Sequence, residues 1–150
     1  MDCREALVAQ GIDQWDALYP DEAGVRADLA TGSLFLVKHE GTLVGTFALG
    51  VHPEPAYERI AWGFEGPFRV LHRLAVAPGV QRQGFGRRLV EIAEAEALRQ
   101  GACCLRLDVY EGHPRAVALY QAMGYRACGT LRFPRRSRAF LAMEKHLEAP

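Results

Sequence analysis

The chain has 150 residues, the size of one ordinary domain; 49% are apolar and 24% charged, so a packed core is expected and disorder is not. Lys plus Arg number 18 and Asp plus Glu number 18, a balance that argues against a dedicated nucleic-acid binder, which carries a basic surplus. The longest stretch without Asp, Glu, Lys or Arg, Gly41 to Pro53, falls short of the ~20 apolar residues a membrane span needs, and the start Asp2-Cys3-Arg4-Glu5 lacks the character of a signal peptide.

Read in chain order, Leu7, Val8, Ile12, Trp15 and Leu18 recur at helical spacing and predict a helix from Glu5 to Leu18, with Gly11 as its weak point. Tyr19-Pro20-Asp21-Glu22 ends it and starts a second short helix through Val25 and Leu29, stopped near Gly32. Leu34 to Val37 and Leu43 to Leu49 read as a hairpin turning at Glu40-Gly41. Residues 52 to 67, with His52, Tyr57, Trp62, Phe64 and several prolines, predict an irregular loop with room for one short strand. Phe68 to Val76 is the next strand. From Gly84 to Gln100 the period becomes 3.6, with Phe85, Leu89, Ile92, Ala93 and Ala97 on one face and Gly101 as the cap. Cys103 to Val109 is a strand. Pro114 opens a helix carrying Ala116, Leu119, Tyr120 and Met123 on one stripe, stopped at Gly124. Strands Tyr125 to Phe133 and Arg138 to His146 close the chain.

Strands joined by helices in the middle imply a parallel pair, and hairpin-linked strands at the ends imply antiparallel pairing. The expectation is one α/β domain (α+β in some schemes) over residues 1–150, with a mixed central sheet. The cysteines Cys3, Cys103, Cys104 and Cys128 contain no CxxC spacing, so no metal site is expected. They read as buried thiols of a reducing compartment, and a cytoplasmic protein with no membrane or nucleic-acid partner is expected.

The informative stretch runs from Leu71 to Leu89: a strand, a turn, then a helix with Gly84 and Gly86 in its first turn. A helix start leaves backbone N–H groups unpaired and carries partial positive charge, and glycines let an anion reach them; this is a phosphate cradle. A Walker A loop does not fit, because Phe85 follows Gly84, and a dinucleotide fingerprint does not fit, because Leu89 stands where a third glycine is needed.

The context Val76-x-Pro78-x-x-Gln81-x-x-Gly84-x-Gly86 resembles the cofactor loop of the GNAT family of N-acetyltransferases. A second stretch, Asp108-Val109-Tyr110-x-x-x-Pro114-Arg115-Ala116-x-x-Leu119-Tyr120-x-x-x-Gly124-Tyr125, resembles that family's next strand and helix. Together they span about residues 68 to 127. The resemblance implies the acyl-CoA acyltransferase fold, with acetyl-CoA as co-substrate. Gln81, Arg82, Gln83, Gly84, Phe85, Gly86 and Arg87 would hold its pyrophosphate. Leu74, Ala75 and Val76 would bond the pantetheine arm in a gap between Leu71–Val76 and Cys103–Val109. The amide of Val76 would polarise the thioester carbonyl. Two departures stand out. The family's strand ahead of its first helix is missing from this reading. His113 stands where an asparagine often contacts the cofactor; with Ala116 it would border the same cleft.

Tyr120 has two readings: a core tyrosine on an apolar stripe, or the acid that protonates the departing thiolate, which the resemblance favours. His72 is either structural or the base that deprotonates the amine. Alternation places it on the face of Val70, Leu74 and Val76, and serotonin N-acetyltransferases resemble this stretch in having a histidine there. Glu65 and Asp108 are substitutes for it. Arg132, Arg135, Arg136 and Arg138 read as a solvated loop, with an anionic acceptor as the other reading. Trp15, Tyr19, Tyr57 and Trp62 are candidates for an acceptor pocket, although aromatics in loops commonly just pack. The function expected is direct transfer of an acetyl group to a primary amine of a small molecule, with no cysteine nucleophile in the motifs. The alternatives are a peptide or protein acceptor, and a catalytically silent CoA-binding regulatory module. The reading is compatible with a homodimer.

Overall fold

The computed structural model describes residues 2–51 and 53–149; His52 lies outside them. Its helices are α1 (Cys3–Ala9), α2 (Glu22–Ala30), α3 (Phe85–Arg99) and α4 (Pro114–Ala122). Its strands are β1 (Leu34–His39), β2 (Thr42–Gly50), β3 (Phe68–Val76), β4 (Cys104–Tyr110), β5 (Arg126–Leu131) and β6 (Phe140–His146). Short 3-10 turns at Pro55–Arg59 and Pro78–Val80 complete the order. The sheet runs β1-β2-β3-β4-β6-β5, with β3 and β4 parallel and every other pair antiparallel. This is the mixed sheet expected. Among the described residues α1 is the first element and β1 forms a sheet edge.

The first helix is much shorter than its spacing predicts. Asp2 and Glu5 form a capping box that starts α1, but the helix ends at Ala9 and Gly11 takes φ +72°, a left-handed conformation that glycine enters freely. The Ile12 amide then turns back to the Leu7 carbonyl. Ile12 and Trp15 are buried all the same, so the apolar spacing reflects burial of an irregular segment. Residues 53 to 67 contain a 3-10 turn and no strand. The last two strands are trimmed to Arg126–Leu131 and Phe140–His146, leaving the arginine-rich stretch between them as loop.

Two cores form, one on each sheet face. On one face Phe47, Leu49, Leu71, Leu105, Leu107 and Met143 pack under Leu89, Val90 and Ala93 of α3 and Tyr120 of α4. On the other, Val70, Tyr110, Phe140 and Ala142 pack against Ile12 and Tyr57 from the two irregular segments. The apolar stripe of α3 thus buries against the sheet as its 3.6 period requires.

Two irregularities in β3 shape the centre of the molecule. It pairs with β4 only at Phe68, Arg69 and Val70; beyond these the strands splay apart. Second, a β-bulge interrupts its pairing with β2. Thr46 opposes Ala75 and Ala48 opposes His72, so β3 spends one extra residue where Arg73 takes φ +48°. An extra residue inverts the side-chain alternation. His72 therefore points to the face of Ala48, whereas Val76 shares the face of Gly45. The expected placement of His72 and Val76 on one face is corrected.

Candidate active site

The splay between β3 and β4 opens a cleft that α1, α3 and α4 enclose. Leu74, Ala75, Val76, Gln81, Arg82 and Gly86 line it from one side, and His113, Ala116, Leu119 and Tyr120 from the other. Gly84 is the N-cap of α3, with φ +84° and no side-chain cap, and nothing lies within 4 Å of where its Cβ would be. First-turn amides of a fifteen-residue helix are thus left without a side-chain acceptor, beside open space, as an anion site requires. Gln83, Gly84, Phe85 and Arg87 sit at this helix start, outside the cleft's lining; the Phe85 ring meets His39 at 5.5 Å.

The Ala77 amide bonds the Val44 carbonyl on β2, so the neighbouring Val76 N–H and C=O point the other way, into the gap toward β4. The carbonyl is seen there, accepting from Gln81 Nε2 at 3.2 Å and from Cys3 Sγ at 3.5 Å. Sequence reasoning missed Cys3, Leu7 and Gln10 as part of this cleft, although the capping box at Asp2 and Glu5 marks the helix that carries two of them. Burial and the adjacent Asp2 carboxylate push the Cys3 thiol up, away from the reactive thiolate. His113 caps α4 through Nδ1, which accepts from the Ala116 amide at 3.4 Å. Burial lowers its pKa, with Arg115 adding to the effect.

A second cavity of about 250 Å³ adjoins the cleft, space for a small amine or the end of a longer chain. The two share Gln14, Trp15, Leu74 and Tyr120. Its walls include Tyr19, His72, Asp108, Phe133 and Phe140. Tyr120 lines both spaces, and its hydroxyl makes no hydrogen bond among the described residues. Burial first, then the Asp108 charge, raises its pKa above the usual phenol range.

Asp108 accepts a hydrogen bond from the Tyr57 hydroxyl at 2.7 Å. Burial drives its carboxyl up to about 6; the Tyr57 bond pulls it down and the Glu54 charge pushes it up again. His72 borders the same cavity from β3. Glu65 is exposed and lines neither space, which removes it as a substitute base.

Of the four aromatic candidates, Trp15 and Tyr19 line the cavity. Tyr57 lies behind it, and Trp62 packs 5.2 Å from the Tyr57 ring and under the Arg106 guanidinium. The arginine loop is less solvated than expected. The Arg136 side chain is buried, bonded to Asp16 at 2.7 Å and to the Gln14 carbonyl at 2.8 Å, and Arg135 also pairs with Asp16. Arg132 and Arg138 remain exposed.

The family model described as Acetyltransferase (GNAT) family matches residues 1–125, which include the cleft-bearing strands and helices. The chain belongs to the GNAT family of acetyltransferases. Its fold matches a GNAT-family acetyltransferase of Streptococcus agalactiae with a TM-score of 0.80 at 21% identity, covering 98% of this chain and 85% of that one. An IAA acetyltransferase of Azospirillum brasilense is 31% identical over 127 residues, 79% of this chain and 76% of its own. A shorter match, 40% identical over 55 residues and 37% of each chain, links it to the ribosomal protein bS18-alanine N-acetyltransferase of Escherichia coli. The family implies acetyl-CoA as the co-substrate, and the uncapped α3 start and the splayed strands fit a phosphate-bearing, extended molecule. Among the described residues no helix is long and apolar enough to cross a membrane.

Proposed function

We propose that this GNAT enzyme moves the acetyl group of acetyl-CoA directly onto a primary amine of a small molecule. The observation that carries this reading is the meeting of the cofactor cleft and the second cavity at Tyr120. Acetyl-CoA supplies an activated acyl group. The α3 start and Gln81, Arg82 and Gly86 hold its phosphate end, while the edge of β3 from Leu74 to Val76 holds its arm. The Val76 N–H, aimed into the gap, stabilises negative charge developing on the thioester oxygen.

An amine is protonated at pH 7 and attacks only after losing that proton. Asp108, raised to about 6 by burial, is poised to take it, with His72 as the second titratable group on the cavity wall. Tyr120 keeps its proton until a thiolate forms beside it. Burial weakens this phenol as an acid, and a thiolate formed in the same buried place would also hold a proton more tightly. When Asp108 accepts the amine proton its negative charge disappears, and with it the second cause of the raised Tyr120 pKa. Deprotonating the amine therefore helps Tyr120 release its own proton. Direct attack agrees with the protonated state favoured at Cys3, the cysteine in the cleft.

The relative named for IAA, a small molecule, supports a small acceptor; the relative that acts on a ribosomal protein alanine supports a second reading, a peptide amino group. Thiol release from acetyl-CoA, measured with polyamines, arylalkylamines, amino acids and peptides, tests both. Release is expected to depend on a small amine. A peptide as the best acceptor would favour the second reading. Acetyl-CoA binding without amine-dependent release would leave a silent CoA-binding module.

A further inference from the structure

We propose that Tyr57 is a positioning residue for Asp108: its hydroxyl holds Oδ2, leaving Oδ1 for the acceptor amine, and keeps the carboxylate ionised near neutral pH. The inference rests on Asp108 being the base.

Tyr57 belongs to the 3-10 turn Pro55–Arg59 and is 2% exposed, far more buried than that turn needs. It packs with Ile12, Val70 and Ala142 against the back of the sheet. Trp62 fixes it a second time, donating from Nε1 to the Tyr57 carbonyl at 3.1 Å. From this anchored position the hydroxyl donates to Asp108 Oδ2 at 2.7 Å, while Oδ1 has no hydrogen bond among the described residues. A carboxylate free to rotate on a cavity wall would present either oxygen. Held by one, it presents the other in a fixed direction, as a base requires.

The other groups around Asp108 do not duplicate this bond. Glu54, at the start of the same turn, opposes ionisation. Tyr120 from α4, Tyr19 from the loop before α2, and His72 and Arg73 from β3 border the cavity. Arg73 is paired with Asp28, and Arg135 and Arg136 with Asp16. On β6 the residue opposite Asp108 is Ala142, which carries no charge. Tyr57 is therefore the direct hydrogen-bond donor that favours the ionised form.

The test compares Tyr57→Phe with the parent enzyme across pH, using acetyl-CoA and the best amine acceptor. A hydrogen bond to a charged group is lost, so the acid limb of kcat/KM should move up by about one pH unit. The rate should fall about ten-fold below that limb and recover above it, with the KM for acetyl-CoA unchanged. Site-specific 3-fluorotyrosine at 57 keeps the ring, strengthens the donor and should move the limb the other way. Carbon-13 NMR of the Asp108 carboxyl, read without substrate, should show the same two shifts. An unmoved Asp108 titration in both variants overturns the proposal. A titration that moves while the rate limb stays fixed overturns it too, reducing Tyr57 to a structural partner. Failure of the underlying reading is separately visible, because Asp108→Asn would then retain the parent's rate and limb.

Discussion

Tyr120 lies on the apolar stripe of α4 and lines both cavities, so core packing and the proposed proton donor meet in one side chain. Tyr120→Phe keeps the ring that meets Tyr125 edge-on at 5.4 Å and removes only the hydroxyl. Single-turnover acetyl transfer should slow roughly 10- to 1,000-fold while acetyl-CoA affinity holds; a parent-like rate would return Tyr120 to the core. For the base, Asp108→Asn should lower transfer at pH 7 by roughly 100-fold or more, whereas His72→Gln, which removes the lesser partner, should cost less than about ten-fold. The reverse ranking would assign the proton to His72. Residue types alone left this choice open, since a histidine and an aspartate both suit the task. Burial favours Asp108 in the proposed reading, by moving its carboxyl toward neutrality.

At the scale of elements, α3 and its preceding turn were legible because their chemistry is local. Gly84 takes the positive φ that a side chain resists, and the uncapped first turn follows from its lack of one. Gly84→Asp puts a carboxylate at the N-cap, strained there by the φ of +84° that a side chain resists. The body of the helix should persist, but the new carboxylate would crowd the approach to the first-turn amides and repel phosphate. Acetyl-CoA affinity by calorimetry should drop at least about ten-fold; unchanged affinity in a folded variant would displace the pyrophosphate from this site. The bulge at Arg73 was not legible. Nothing in Leu71-His72-Arg73-Leu74 marks an extra residue, because bulges are set by what the neighbouring strand and loops demand. Arg73, paired with Asp28 of α2, shows one such demand. The length of α1 escaped for a related reason: apolar spacing reports burial, and Ile12 and Trp15 are buried without being helical.

For the molecule as a whole, the buried Asp108 carboxyl has a thermodynamic cost. Asp108 binds its proton more tightly when folded, near 6, than an ordinary carboxyl near 3.9. Its contribution is therefore fully favourable below about pH 4 and is lost as pH rises through 6. Asp108→Asn removes a buried charge, so it should stabilise the protein at pH 7 to 8 by about 1–3 kcal/mol and change little near pH 4. Thermal melts at the two pH values check this, and a variant destabilised equally at both would show that Asp108 is held mainly by its bond to Tyr57.

The sequence by itself determined the family and the mixed sheet, and it marked Gly84, Gly86 and Tyr120 as candidates, because these rest on patterns within single strand–turn–helix units: hydrophobic period, glycine placement and the spacing between two motifs. Only the tertiary structure brought together the residues proposed for the acceptor side. The Tyr57–Asp108 bond joins residues 51 positions apart, and Arg136 reaches Asp16 across 120. The face of His72 depends on a bulge in strand pairing. Such contacts arise where separate segments meet across a sheet face, and they alone set which groups are buried together. Burial and proximity shift the protonation equilibria that distinguish a base from a bystander.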